Sequence, residues 1–191
     1  MNNVATENSC SLDVALTEQQ KTDCHWMTYA MQLAQRAAEL GEVPVGAVLV
    51  HQGKVIGEGW NQPISSHDPT AHAEMQALRN AAQEIENYRL VDSTLYITIE
   101  PCTMCAGAIV HARVSRVVFG ATEPKAGAAI SNGQVFDQPW MNHRVLYEGG
   151  VLAGECSAQI SAFFKRRRAQ QKVLKQQRRA AQAAELERQQ Q

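Results

Sequence analysis

The stretch TLYITIEPCTMCAGAIVHARVSRVVFG, residues 94–120, predicts the fold of the chain. Its first six residues alternate apolar side chains with Tyr and Thr, the pattern of a strand. Pro101 opens a predicted helix that runs to about Ala112, and residues 116–120 form a second predicted strand. Strand, helix and strand in this order predict a right-handed crossover between two parallel strands.

Patterns on both sides of this unit predict a layered domain. The further predicted elements are a helix over residues 24–40, a hairpin between residues 45 and 56, a helix over residues 71–83, a strand over residues 144–147 and a long helix from about residue 155. Thr70 or Asp68 is expected to cap the helix over residues 71–83. We therefore expect an α/β fold, a three-layer α/β/α sandwich on a mixed sheet of about five strands.

Composition divides the chain into three parts. Residues 1–23 are polar and aperiodic and predict a flexible N-terminal extension, residues 24–164 form one globular domain, and residues 165–191 form a basic, helical C-terminal tail. The tail holds nine Lys or Arg residues against two Glu residues, a charge of +7, which leaves −8 for the rest of a chain with net charge −1. Blocks of like charge are commonly interaction tails, so a polyanionic partner is expected, with a merely solvated tail as the alternative.

Composition also bears on location and on cysteine chemistry. The N-terminal residues lack a signal-peptide pattern and no apolar run is long enough to cross a bilayer, so we expect a cytoplasmic protein with no membrane partner. Five cysteines, two of them three residues apart, fit metal binding in a reducing compartment better than a disulfide framework. Cys10, Cys24 and Cys156 have no partner at ligand spacing and are expected to be free thiols.

Two short segments carry the chemistry. His72-Ala73-Glu74 lies at the start of one predicted helix, and Pro101-Cys102-Thr103-Met104-Cys105 lies at the start of another. In mid-helix, residues two apart point to nearly opposite sides, but at a helix start they can converge on one target. Proline suits a first helical turn, which places both sulfurs at the positive end of the helix dipole, where the metal-binding thiolate form is favoured.

This ligand set favours a catalytic zinc. One imidazole and two thiolates leave the fourth tetrahedral position for water, unlike a closed structural site. Because two thiolates neutralise Zn²⁺, that water is polarised less than in a three-histidine site, so a base is needed and Glu74 is available. A lone Cys-x-x-Cys would also fit a redox pair or half of a structural zinc site. The His-Ala-Glu segment favours the interpretation as a catalytic zinc site.

Beyond these segments, the chain resembles the bacterial tRNA-specific adenosine deaminases over residues 24–168. The matching stretches are VPVGAVLV (43–50), GEGWN (57–61), HDPTAHAE (67–74), EPCTMCAGAIVHAR (100–113) and VVFGA (117–121). The resemblance implies a cytidine deaminase-like fold, one Zn²⁺ per subunit held by His72, Cys102 and Cys105, and Glu74 as the proton shuttle. It also implies a homodimer.

The reaction that the resemblance implies is hydrolytic deamination of adenosine to inosine at the first anticodon position of a tRNA, with an ACG-anticodon tRNA-Arg as the expected substrate. The partner is then a tRNA anticodon stem-loop. Asn61 matches a residue that contacts the target nucleotide, Val45 lies in the wall of the base pocket, and Ala73 belongs to the same substrate-binding set. Glu123 stands where Asp is expected more often, which could alter how its loop meets the anticodon backbone.

Two other functions remain open at this point. A small-molecule deaminase of the same fold could act on cytosine, guanine or a nucleotide, although a free base needs no basic tail. A zinc-stabilised RNA-binding module without catalysis would have no need of Glu74 beside an open metal position. Phe163 and Phe164, next to Lys165, could stack on nucleotides or belong to the core.

Overall fold

The structure is a computed structural model that describes residues 16–189, without the side chains of residues 180, 183–187 and 189. Its elements in chain order are α1 (Glu18–Glu39), β1 (Gly46–His51), β2 (Lys54–Trp60), α2 (Pro63–Ser66), α3 (Ala73–Glu84), β3 (Ser93–Ile99), α4 (Thr103–His111), β4 (Arg116–Ala121), β5 (Leu146–Gly149) and α5 (Ala153–Gln189). A short 3-10 helix spans Val135–Asp137.

The five strands form one mixed sheet in the order β2-β1-β3-β4-β5. β1 runs antiparallel to β2 and β3, whereas β4 runs parallel to β3 and β5. The predicted crossover is present, with Leu95 of β3 paired to Val117 of β4. Apolar residues of α3 and α4 pack on one face of the sheet, and those of α1 and α5 pack on the other. The predicted three-layer α/β/α sandwich is therefore confirmed.

The hairpin of β1 and β2 positions α3. Its turn is Gln52-Gly53, where both residues have positive φ, as the predicted turn requires. The helix lies so close to β2 that a Cβ on Gly59 would come within 2.1 Å of the Ala73 carbonyl oxygen. Glycine at this position therefore allows the start of α3, with its functional residues, to lie directly on the strand.

The starts of α1, α3 and α4 differ from the prediction. α1 begins at Glu18 rather than near residue 24, because Thr17 and Gln20 form a capping box and the first turn is polar. The N-cap of α3 is His72, so the prediction of Thr70 or Asp68 is wrong; Asp68 instead accepts hydrogen bonds from the backbone and hydroxyl of Thr70. α4 begins after Cys102, two residues later than predicted.

Two expectations drawn from composition have different outcomes. Cys24 is disulfide-bonded, so the prediction of a free thiol is wrong for this residue: ligand spacing does not reveal which cysteines the fold brings together. Cys156 is a free, buried cysteine, and Cys10 lies outside the described residues.

Within residues 16–189, no helix is both long and apolar enough to cross a membrane.

A buried charge network ties α1 to the sheet. Asp23 accepts two hydrogen bonds from the guanidinium of Arg116, at 2.7 and 2.8 Å, and one from the Tyr96 hydroxyl at 2.9 Å. Arg116 also reaches the half-exposed Glu148 at 2.8 Å. One aspartate thus joins α1, β3 and β4, on the face of the sheet opposite α3 and α4.

We expect Asp23→Ala to lower the free energy of unfolding by about 3–5 kcal/mol, because it leaves the partly buried Arg116 without its main counter-charge. Chemical denaturation followed by circular dichroism measures this change. Glu148→Ala is the control: it removes a half-exposed partner of the same arginine and should cost about 1 kcal/mol or less. Equal losses in the two variants would contradict a structural role specific to Asp23.

Candidate metal centre

Two helix starts converge at one point. His72 is the N-cap of α3, Cys102 is the N-cap of α4, and Cys105 lies in the first turn of α4. Both helices pack on the same face of the sheet. The structure thereby brings together the three residues that the sequence predicted as ligands, although they are up to 33 positions apart in the chain.

The geometry of these residues fits a tetrahedral zinc ion. Their potential ligand atoms all lie within 4.8 Å of one another. The Nδ1 atom of His72 is 3.7 Å from the Cys102 sulfur and 3.6 Å from the Cys105 sulfur. Zinc–sulfur bonds of about 2.3 Å and zinc–nitrogen bonds of about 2.05 Å at tetrahedral angles place nitrogen and sulfur about 3.6 Å apart. Both nitrogen–sulfur distances therefore match those around one shared zinc ion.

The ligand atoms are electrostatically coupled. Hydrogen bonds from Cys105 and from His72 lower the pKa of the Cys102 thiol to about 4. The same contact with Cys102 is the largest of the effects that raise the pKa of Cys105, ahead of burial. Hydrogen bonding to Cys102 also raises the pKa of His72. These contacts thus favour the thiolate form of Cys102, which is the form in which a cysteine binds zinc.

Glu74 lies beside the ligands inside the protein. Its side chain is buried, and burial raises the pKa of its carboxyl group. Interactions with His72 and with Cys105 act in the opposite direction. A carboxyl group with a raised pKa next to a metal position can both accept and return a proton, which is what a general acid-base group must do.

The three residues predicted to bind substrate are neighbours at the start of α3. The backbone N–H of Asn61 donates to the carbonyl oxygen of Val45 at 3.0 Å, and the backbone N–H of Ala73 donates to Oδ1 of Asn61 at 3.0 Å. Val45 and Ala73 are buried, whereas Asn61 is partly exposed. The bond to Ala73 thus fixes the orientation of the Asn61 amide, whose NH₂ is the donor group of this side chain.

Sequence reasoning missed Glu100, which anchors the loop after β4. Its buried carboxylate accepts hydrogen bonds from the backbone N–H groups of four loop residues and from the hydroxyl of one of them; the donors are Glu123, Ala129, Ile130 and Ser131. Burial disfavours the charge, but these bonds outweigh it and lower the pKa of Glu100. The only available signal was a carboxylate at the end of a buried strand, directly before Pro101.

The loop is further fixed to the metal-ligand segment. The backbone N–H of Ala128 donates to the Pro101 carbonyl at 2.8 Å, and Gly127 forms a β-bridge with Cys102. A Cβ on Gly127 would lie 2.3 Å from a Glu100 carboxylate oxygen, so glycine is required for this contact. Glu100 thus holds the loop that contains Glu123 against the segment that contains the cysteine ligands.

We expect Glu100→Gln to destabilise the protein by about 1.5–3 kcal/mol, because a neutral amide cannot accept on both sides and leaves buried N–H groups without a partner. Urea denaturation measures the change, and faster amide exchange at Ala129, Ile130 and Ser131 should accompany it. The matched control is Glu84→Gln at the exposed end of α3. Unchanged exchange at the three amides would show that the loop does not depend on the carboxylate.

The chain belongs to the cytidine and deoxycytidylate deaminases. The family model for their zinc-binding region matches residues 20–121, which include all three predicted ligands and Glu74. The chain is thus a zinc-dependent deaminase, in agreement with the ligand geometry.

Within this class the chain belongs to the tRNA-specific adenosine deaminases. An enzyme of that name from Haemophilus influenzae is 57% identical over 150 residues, which cover 78% of this chain and 87% of the relative. Another, from Buchnera aphidicola, is 48% identical and covers 77% of this chain and 91% of its own length. A solved structure from a study of A-to-I editing by tRNA:A34 deaminases is 41% identical with a TM-score of 0.69, covering 71% of this chain and 98% of its own.

The fold alone does not distinguish substrates. A guanine deaminase from Nitrosomonas europaea is 19% identical to this chain, with a TM-score of 0.63 over 81% of it and 97% of its own length. This guanine deaminase thus shares the three-layer sandwich. The site and the close relatives, and not the fold, therefore indicate the substrate of this chain.

Proposed function

We propose that this chain deaminates adenosine to inosine at the first anticodon position of a tRNA, with an ACG-anticodon tRNA-Arg as its substrate. The observation that carries the proposal is the buried Glu74 beside a His-Cys-Cys ligand set, in a chain 57% identical to a tRNA-specific adenosine deaminase. The deaminase domain in this proposal is residues 24–164, and the anticodon stem-loop is the partner that it binds.

His72, Cys102 and Cys105 hold the zinc in this proposal. The bound ion supplies Lewis-acid activation of water for attack on C6 of the adenine. Glu74 accepts the proton released by this water, delivers it to N1 of the ring and then assists the departure of ammonia. Burial supports this role, because a carboxylate with a raised pKa is a stronger base and takes the proton from water more readily than an exposed one.

Asn61, Val45 and Ala73 form the substrate-binding wall. The amide NH₂ of Asn61 is free of the bond that holds its oxygen and can donate to the nucleotide, while Val45 and Ala73 line the base pocket. Their hydrogen bonds to one another and the position of Ala73 directly after His72 support this assignment. The base would then lie between this wall and Glu74.

The protein acts as a cytoplasmic homodimer in this proposal. The dimer is supported by an apolar groove of about 380 Å³ between α3 and α4, whose lining includes Met75, Leu78, Tyr88 and Ala108. Tyr88 is 65% exposed and lines this groove, so its ring adds to an apolar surface that a second copy of the chain would cover. Sedimentation analysis of Tyr88→Asp tests the interface, since a charge there should shift a dimer towards monomer.

Nucleoside analysis tests the function directly. Pure zinc-loaded protein is mixed separately with an ACG-anticodon tRNA, free adenosine, free cytidine and free guanine, and the products are separated by chromatography. Inosine from the tRNA alone is the expected result. Deamination of a free base or nucleoside at a comparable rate would support the small-molecule alternative, and RNA binding without any deamination would support a non-catalytic module.

A further inference from the structure

A line of basic side chains runs along one side of α5 beyond the folded body. Among the side chains of this helix that the structure describes, Phe163 is the last that is buried. Beyond it, side chains three and four positions apart share one face of a helix, and five basic residues follow this spacing. We call them the basic stripe: Lys165, Arg168, Lys172, Lys175 and Arg179. All five are exposed, and they span about 21 Å at a rise of about 1.5 Å per residue.

Apart from Arg168, which lines a groove next to the body, the stripe faces away from the part of α5 that packs on the body. Phe163 is buried, and Arg166 lies over its ring and donates to the Ala38 carbonyl at the end of α1. Their side of the helix continues through Gln170, Leu174 and Gln177, nearly opposite the stripe. The contacts that fix α5 to α1 therefore leave the stripe available to a partner.

The stripe is electrostatically unbalanced. No acidic residue occurs in the sequence between Glu155 and Glu185, and within the described part of the chain no salt bridge involves any stripe residue. Like charges three or four positions apart destabilise a helix by a few tenths of a kcal/mol per pair. A partner with regularly spaced negative charges would remove this repulsion.

The chemistry of the helix favours a nucleic acid duplex over a membrane or a protein. An amphipathic membrane helix needs large apolar residues opposite its basic face, but that side carries mainly Gln residues with Leu174. A duplex carries about one charge per 1.7 Å of axis in B-form DNA, so the length of the stripe faces on the order of ten phosphates. Helical RNA is recognised mostly through its shape and backbone, which suits long basic side chains.

At its base the stripe lies close to the proposed substrate-binding wall. Arg168 lines a groove of about 230 Å³ together with Val43 and Ile64. Val43 is two residues from Val45, and Ile64 is three residues from Asn61. An RNA whose loop enters the metal centre would therefore have its adjoining stem within reach of the first stripe residues.

We propose that the basic stripe binds the phosphate backbone of a helical RNA stem, so that α5 holds the stem while the metal centre acts on the loop. The identity of that RNA as a tRNA rests on the proposed function. The stem contact itself is a separate property of α5, because its residues lie outside the metal centre.

The test relocates charge around the helix without changing composition. The stripe-relocated variant carries Lys172→Gln, Gln170→Lys, Lys175→Gln and Gln177→Lys. It retains the net charge, the residue types and the helix propensity, but moves two lysines to nearly the opposite side. The binding probe is a blunt RNA duplex of about 16 base pairs without a loop, and its affinity is measured against salt. Thermal unfolding and zinc content serve as checks on the fold.

We expect the relocated variant to bind the duplex on the order of tenfold more weakly, with a log-log salt slope shallower by about 1.4–1.8 for two lost contacts. Wild-type affinity and slope in this variant would overturn the proposal, because net charge alone would then suffice. If the relocated variant still bound the duplex but no longer bound anionic phosphatidylserine vesicles, the stripe would be a membrane-binding surface and the proposal would be overturned.

A second measurement separates the stripe from the proposed function. Inosine formation is followed with a minimal anticodon stem-loop, whose stem is too short to follow α5, and with full-length tRNA. The relocated variant should keep its rate on the minimal stem-loop. With full-length tRNA it should need a several-fold higher RNA concentration to reach half of its maximal rate. Absence of inosine with either RNA in the wild type would contradict the proposed function, while duplex affinity would still decide the role of the stripe.

Discussion

Replacing Glu74 with Gln should lower turnover by at least about 100-fold. General acid-base groups typically contribute between about 100-fold and 10,000-fold. Glutamine keeps the shape and one hydrogen-bonding oxygen, but it cannot accept a proton. Because Glu74 is buried and is none of the three predicted ligands, we expect zinc content and the fold to be unchanged. Single-turnover inosine formation from an ACG-anticodon tRNA, with zinc measured on the same sample, gives both quantities.

The buried position of Glu74 makes the comparison with Asp informative. Glu74→Asp keeps the acid-base function but moves it back by one methylene, so it should lie between wild type and Glu74→Gln. Glu84→Gln is the matched control, since it makes the same chemical change at an exposed carboxylate at the end of α3. Wild-type turnover of Glu74→Gln with zinc bound would require another residue to be the proton carrier.

The sequence predicted the crossover and the metal centre for the same reason. The helix that starts at the cysteines lies between two strands whose apolar patterns are short and clear, so its start must fall at the end of a strand. The ligands are then placed by local structure, with His72 and Cys102 as N-caps. Spacing groups Cys102 with Cys105 at one helix start, whereas their grouping with His72 on another helix is what the resemblance to the deaminases implies.

Other features depend on contacts between distant segments and leave no local pattern. Glu100 has its role only because the loop after β4 folds back over it, bringing in donors about thirty positions away. The buried pair of Asp23 and Arg116 joins residues 93 positions apart, and Asp23 looked like one more polar residue of an N-terminal extension. The start of α1 was placed too late for a related reason, since its capping turn is exposed and has no apolar periodicity.

Replacing Cys105 with Ser should remove zinc and, with it, the deaminase activity. The hydroxyl of serine has nearly the size of the thiol, but it does not ionise near neutral pH and is a poor ligand beside a thiolate and an imidazole. Cys105 is fully buried in the first turn of α4, so water cannot readily replace it from outside. Metal analysis after gel filtration in the absence of free zinc should give about one zinc per chain for wild type and almost none for the variant.

The pH dependence of zinc binding provides a further measure of the same assignment. Contact with Cys102 raises the pKa of Cys105 and that of His72, so binding must displace a proton from Cys105 and, at low pH, another from the imidazole. Zinc affinity should therefore rise with pH, by about tenfold per pH unit for each proton displaced. Cys156→Ser makes the same substitution at a buried cysteine that packs against β4, and it should keep both the zinc and the pH dependence. Equal loss of zinc from Cys156→Ser and Cys105→Ser would mean that both act through the fold, and the ligand set would then have to be sought among other residues.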